Sequence, residues 1–455
     1  MTVKSKFDQV LSNPVTLLLL ALIVISILLI DGVITSLPFY NLKNQRSDAM
    51  LIFFGTEVVV TGISQLFLLR IIGIELRRSS YTANFLRSAN ITHYLTVILQ
   101  SGTIVLLIVI LTELVIYDEY STFYFRIVIL ISITLSTGLL TLLSIRFIQW
   151  TRHRPDRLTL FYTIGTSLMA ITSLLLGVFM MVEMSNSPEI ITSSRMSIAN
   201  SHVNNFELQN FQSNVGLISY VAFWFASVLL LRKSVKNPRK IGFYILVVIP
   251  LLYYFGVFQW IMSSILTASD TVNTLQIYTF NVLGSILTRP VGGAILGIAF
   301  LVVAKKIDDQ GIKNYMRLSA LGIVLLAISN EDARIYLLPY PPFGIVTISF
   351  MGISSYLLMI GVYYSAVSTS MNSQLRSMIE RSVDKELTFL SSIGRSEAEK
   401  QIMNRVKILT KKFAENLSED SGVGIELETK QIEKQISFVI EEREAISKKK
   451  NDNLK

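Results

Sequence analysis

The chain has 455 residues, of which 51% are hydrophobic and 16% charged, with a formal net charge of +9 and a mean hydropathy of +0.53; this lies outside the range of soluble globular domains. Cysteine is absent and the three histidines, His93, His153 and His202, stand far apart. Disulfides, thiolate metal sites, iron–sulfur clusters and cysteine nucleophiles are thereby excluded, and no spacing suited to metal ligands remains. The expected class is all-α, a polytopic membrane helix bundle with neither metal nor cofactor.

A helix needs about 20 apolar residues to cross a hydrocarbon core about 30 Å thick. Ten runs meet or approach that length: Val15 to Leu37, Ala49 to Ile72, Tyr94 to Ile116, Phe123 to Ile148, Leu158 to Val182, Val215 to Leu231, Ile241 to Met262, Leu283 to Ala304, Leu318 to Leu338 and Phe343 to Ala366. The first is read as an anchor, because its apolar run exceeds a usual signal-peptide core and no small-residue cleavage site follows it. With the N-terminus inside, 19 loop Lys and Arg residues fall on the inner side and only Lys43, Arg46, Arg126, Arg195 and Arg334 on the outer side. Cytoplasmic loops retain such residues, so both termini are expected in the cytoplasm, and a plasma-membrane location fits this pattern.

The long outer loop, Met184 to Asn214, is rich in Ser and Asn and is expected to be mobile. Around Arg289, the run Thr288-Arg289-Pro290-Val291-Gly292-Gly293 removes an amide and relaxes backbone constraints, which predicts a kink or break. Gly293 and Gly297 form a small-xxx-small pattern, read as close helix packing within the bundle. The run Leu338-Pro339-Tyr340-Pro341-Pro342-Phe343-Gly344 predicts a stiff cap between spans nine and ten, suited to roofing an outer vestibule.

Residues 1–366 are read as the bundle and 367–455 as a cytoplasmic helical extension and tail. The tail's 16 basic and 15 acidic side chains nearly cancel, so it offers no electrostatic footprint for nucleic acid. From Val362 to Ser392 there is neither Gly nor Pro, which predicts that the tenth span runs on into the cytoplasm as one helix. Gly394 is expected to stop it, and Ser396-Glu397-Ala398-Glu399 has the form of a capping box opening a second helix. That helix carries Ala398, Ile402, Val406, Leu409, Phe413 and Leu417 on one stripe, and Ile432, Ile436, Val439 and Ile440 mark a third. Packing of these stripes on one another is the first reading; self-association or a protein partner through the tail is the second.

Ionisable groups at membrane depth are costly and mark functional positions. Asp31, Glu57, Arg289, Glu331 and Asp332 are the ligand-binding candidates, all in the outer half of their spans. Arg289 is expected to pair with Glu57, Asp31 or Glu331. Glu113 and Glu183 mark outer span ends, and the inner halves hold Gln65 and Gln100 but no charge before the basic loops. A transporter ordinarily carries a polar route past the midplane to both faces, whereas this distribution resembles a vestibule opening outward over an apolar floor. No P-loop, G-x-S-x-G or H-E-x-x-H motif occurs, and adjacent Glu331 and Asp332 point about 100° apart on a helix, poorly placed to share a reacting atom. An enzyme is therefore not expected.

The favoured reading is a multi-pass receptor or sensor in which a small ligand from the outer side biases the tenth span and its tail. A secondary transporter or permease of small solutes comes second, and a scaffold or accessory membrane subunit third. The lipid bilayer is the one partner common to all three. The topology is tested by cysteine labelling of the intact membrane from outside: a cysteine at Ser194 should react and one at Ser234 should not, and the reverse pattern would invert every span.

Overall fold

The computed structural model describes residues 14–36, 48–78, 83–153, 155–184, 189–192, 206–234, 241–255, 264, 293–294, 296–305, 307, 309–329, 340–371, 390, 392–403, 406 and 408–409. In chain order the main elements are α1 (Pro14–Ser36), α2 (Asp48–Arg78), α3 (Ala83–Tyr117), β1 (Glu119–Ser121), α4 (Thr122–His153), α5 (Arg157–Met184), β2 (Ile190–Thr192), α6 (Phe206–Ser234), α7 (Ile241–Tyr254), α8 (Gln310–Ser329) and α9 (Ile345–Met371). Among the described residues, seven helices are long and apolar enough to cross a membrane, namely α2 to α6, α8 and α9; shorter apolar helical stretches occupy Ala21–Asp31 and Leu296–Lys305. The chain is a multi-pass helical membrane protein.

Several helices start well before the predicted spans, α3 at Ala83 rather than Tyr94 and α6 at Phe206 rather than Val215. α8 starts at Gln310 rather than Leu318, because Asp309 caps it: its carboxylate accepts the Ile312 amide at 3.0 Å while its carbonyl accepts the Lys313 amide at 3.0 Å. Lys313 and Arg317 thus belong to a helix, not a loop. Beside the helices there is one short strand pair among the described residues: β1 and β2 pair antiparallel, with Tyr120 opposite Ile191. Ile190–Thr192 lies in the stretch expected to be mobile, and it is ordered because Tyr120 and Ile191 are both buried and the Thr122 amide donates to the Glu189 carbonyl at 2.9 Å.

The exterior is apolar and the interior partly polar. On α2, Ile52, Val59 and Ile63 are exposed while Glu57, Thr61, Ser64 and Gln65 are buried. In water such an exposed apolar face would be a liability; in lipid it is the stable arrangement, since polar groups must be satisfied inside the protein.

α9 is the axis of the bundle, packed against α8, α4, α3, α2 and α1. It carries no charged side chain. Nearly all of it is buried, and its hydroxyls return to its own backbone: Ser354 to Phe350, Ser355 to Met351, Ser365 to Gly361 and Thr369 to Ser365. Small side chains let α8 lie against it. A Cβ at Gly322 would stand 2.5 Å from the Leu358 amide nitrogen and one at Gly361 2.5 Å from the Tyr315 carbonyl oxygen, so neither position accepts a side chain without moving a backbone. The Gly293 and Gly297 pair serves the same end, seated on Ala327 and Val324 of α8.

The residues after Gly394 depart from expectation. Gly394 and Ser396 both lie within a helical stretch over 392–403. Gly394 does not stop the helix, because it is the point of close approach to α9, where a Cβ would meet Thr369 Cγ2 at 2.6 Å. Ser396 does not cap it, because its hydroxyl donates to the Trp150 carbonyl at 3.3 Å. On the predicted stripe, Ala398 is buried while Ile402 and Leu409 are exposed. Continuity of α9 through to Ser392 and the third tail helix lie outside the described residues.

Candidate functional site

The proline-rich turn sets up one end of the bundle. The Tyr340 hydroxyl donates to Asp118 at 2.5 Å, and its ring stacks on Tyr120 of the strand pair at 6.5 Å. The Phe343 amide then donates to the Pro341 carbonyl at 2.8 Å, and Gly344 takes a φ of 90°, a conformation open to glycine. This turn aims the first amides of α9 back at α1. There Asp31, wholly buried, accepts the Gly344 amide at 2.6 Å on Oδ1, and the Thr347 amide at 3.1 Å and hydroxyl at 2.5 Å on Oδ2. The aspartate acts as an N-cap supplied from another helix. It satisfies donors that begin any helix without partners and places negative charge at the positive end of the α9 dipole.

Glu57 occupies the neighbouring position on α2. It is 2% exposed, and neither carboxylate oxygen has a hydrogen-bond partner. Asp31 lies within electrostatic reach of it. One turn earlier on α2, Phe54 packs edge-on against Phe343 at 5.6 Å, and Phe53 lies 6.1 Å from the same ring, so the turn that feeds α9 also closes over Glu57's helix. The sequence-predicted candidates Asp31 and Glu57 therefore come together. Arg289, Glu331 and Asp332, and with them the expected Arg289 pairing, lie outside the described residues, as does the side chain of Glu183. Glu113 does more than mark a helix end: it accepts the Ser121 amide at 2.8 Å and fixes the start of α4.

A polar row continues along α9. Gln65 Nε2 donates to Ser349 Oγ at 2.9 Å, while Gln100 Nε2 donates to Gln65 Oε1 at 2.8 Å and to the Ser349 carbonyl at 2.9 Å, tying α2, α3 and α9 together. Farther along, Ser136 and Ser355 share a hydrogen bond at 2.6 Å, and His93 Nδ1 lies 2.8 Å from the Tyr356 hydroxyl. The two glutamines were visible in the sequence; their serine, tyrosine and histidine companions were not, because the contacts join residues more than 200 positions apart.

At the other end, helix 392–403 is docked between α4, α5 and α9. Trp150 Nε1 donates to Glu397 Oε2 at 3.0 Å, Lys400 Nζ to Gln149 Oε1 at 2.6 Å, and Thr159 pairs with Ser392 at 3.3 Å. Leu390 and Ile393 are buried beside them. The Arg146 guanidinium sits 4.8 Å from the centre of the Tyr363 ring, which stacks on Trp150 at 6.4 Å. Burial holds the Lys400 ammonium below the usual lysine range, the nearby Arg146 charge pushes it further down, and Glu397 opposes both. Local sequence spacing gives Glu397 no role, since its partner Trp150 lies 247 positions away.

Comparison with protein-family models, with curated proteins and with solved structures finds no match for this chain.

Replacing Asp31 by alanine strands the three donors at the start of α9, and should destabilise the protein by at least about 1.5–3 kcal/mol, the value of one hydrogen bond to a charged group. Asn at this position keeps one acceptor oxygen and should lose less. Thermal unfolding in reconstituted membranes checks the order wild type, Asp31→Asn, Asp31→Ala; equal stability of all three would remove the capping role.

Proposed function

We propose that the protein is a multi-pass membrane receptor or sensor, in which a small ligand at the Asp31 and Glu57 end alters the docking of helix 392–403 at the other end. One observation supports this reading above others: a single buried helix, α9, is held at its start by Asp31 and bears at its finish the residues on which the tail helix packs, Thr369 against Gly394 and Ser370 against Gln401. At about 1.5 Å per residue such a helix carries a displacement about 40 Å from end to end. The excess of Lys and Arg in alternate loops supports an orientation with the Asp31 end outside and the tail inside the cell. In this reading the bundle, 1–366, receives and the tail, 367–455, delivers the output to itself in a second copy or to a protein partner, with binding rather than catalysis as the event.

The polar row along α9 favours a second reading. Gln65, Gln100, Ser349, Ser136, Ser355, His93 and Tyr356 continue past mid-bundle, where the sequence alone predicted an apolar floor, and such a route suits a transporter of small solutes.

The chain has no native cysteine, so a single cysteine at Ala398, 7% exposed against the bundle, reports docking by its labelling rate in nanodiscs. Asp31→Ala should raise that rate at least tenfold and leave the rate at an Ile402 cysteine, already exposed, unchanged. An unaltered rate at 398 overturns the receptor reading, and solute uptake by liposomes that stops in a Gln100→Leu variant would install the transporter in its place.

A further inference from the structure

We infer that the Glu57 and Asp31 pair binds one small monovalent cation, either a proton or an alkali metal ion; this names the ligand class of the receptor site and rests on that reading. The argument begins with hydrogen-bond bookkeeping. Asp31 spends its oxygens on the start of α9, accepting two amides and a hydroxyl, and the positive end of that helix faces its charge. Glu57 is buried to the same degree and receives no hydrogen bond on either oxygen. Buried polar atoms in folded proteins are nearly always partnered, and an orphan pair of carboxylate oxygens calls for a specific explanation.

Its own helix does not supply one. The Thr61 hydroxyl, one turn along, donates to the Glu57 backbone carbonyl at 2.5 Å and is therefore committed away from the side chain. Of the elements packed against α2, α1 presents Asp31, which bears the same sign of charge, while α3 and α9 present no titratable group that acts on Glu57 among the described residues. Among the described residues the Glu57 carboxylate thus has no hydrogen-bond donor and no cation beside it, only a second buried carboxyl group. A buried charge in that position is met by a counter-charge.

The size of that charge follows from the donors. A divalent ion such as calcium collects about 6–8 oxygen ligands, and among the described residues no group of three or more His, Asp or Glu side chains is placed to hold a metal ion. Glu57 offers two open oxygens. A proton needs one of them, and a sodium or potassium ion needs both together with carbonyls or water.

The full chain in nanodiscs is melted in sodium, potassium or choline chloride at constant ionic strength and pH, and then in choline across a pH series, for wild type, Glu57→Gln and Glu57→Met. A metal ion site gives a saturable rise in the Tm of wild type with sodium or potassium over choline. A proton site gives no such difference, but a Tm that falls as pH rises, since a proton held by the folded chain and not by the unfolded one stabilises less as protons grow scarce. In either case both substitutions remove the dependence, and methionine, which fills the space without charge, leaves a folded protein if glutamine does not. The inference is overturned if wild type responds to neither cation nor pH, or responds as both variants do. Cation or proton dependence with an unchanged labelling rate at the 398 cysteine keeps this site and defeats the receptor reading alone; a changed labelling rate without such dependence does the reverse.

Discussion

A helix buried from one end to the other inside a membrane bundle has to find partners for its first amides without water, and the rest of this structure is arranged around how α9 does so. Asp31 provides them from α1, and it can reach them only because the turn through Pro341, Pro342 and Gly344 folds the chain back toward that helix. The turn in turn leans on Asp118 and Tyr120, which are held by the pairing of β1 with β2. A short strand pair, a proline turn and one aspartate thus form a single unit whose product is a fixed starting point for the central helix.

From that start the axis is packed through small residues toward α8, and it is also bonded to α2, α3 and α4 through Ser349, Tyr356 and Ser355. Ser354, Ser365 and Thr369 donate to the backbone of α9 itself, so these hydroxyls are satisfied within the helix. Gly322 and Gly361 let α8 approach to backbone contact. Interfaces of this kind depend on close complementarity more than on hydrophobic transfer, since lipid is as apolar as the interior. The contacts at the two ends of α9 are joined by one continuous helix, Ile345–Met371.

The helices and the deepest charges were legible in the sequence because both rest on local signals: apolar runs bounded by charge, and ionisable residues that lipid would reject. Asp31 and Glu57 stood out for that reason. What Asp31 holds was not legible, since its partners Gly344 and Thr347 lie more than 300 positions away and neither residue type announces a contact. Separations of 249 and 247 positions likewise hid Gln100 with Ser349 and Trp150 with Glu397. Two local signals misled. Gly394 looked like a helix stop and Ser396 like a cap, yet each serves a tertiary contact, the first by lacking a side chain where Thr369 approaches and the second by donating to the Trp150 carbonyl. Asp309 is the opposite case, a local cap whose spacing to Ile312 was present in the sequence and which starts α8 about two turns earlier, at Gln310.

Hydrogen exchange resolved to single residues tests the central claim, that Asp31 fixes the start of α9 and that the fixed helix carries the tail. In reconstituted wild-type protein the amides of Gly344 and Thr347 should be protected, and so should those of 392–403. The account predicts that Asp31→Ala exposes both groups together while α5 and α6 keep their protection. Loss of protection at Gly344 and Thr347 with 392–403 unchanged would contradict it, because the two ends of α9 would then be independent.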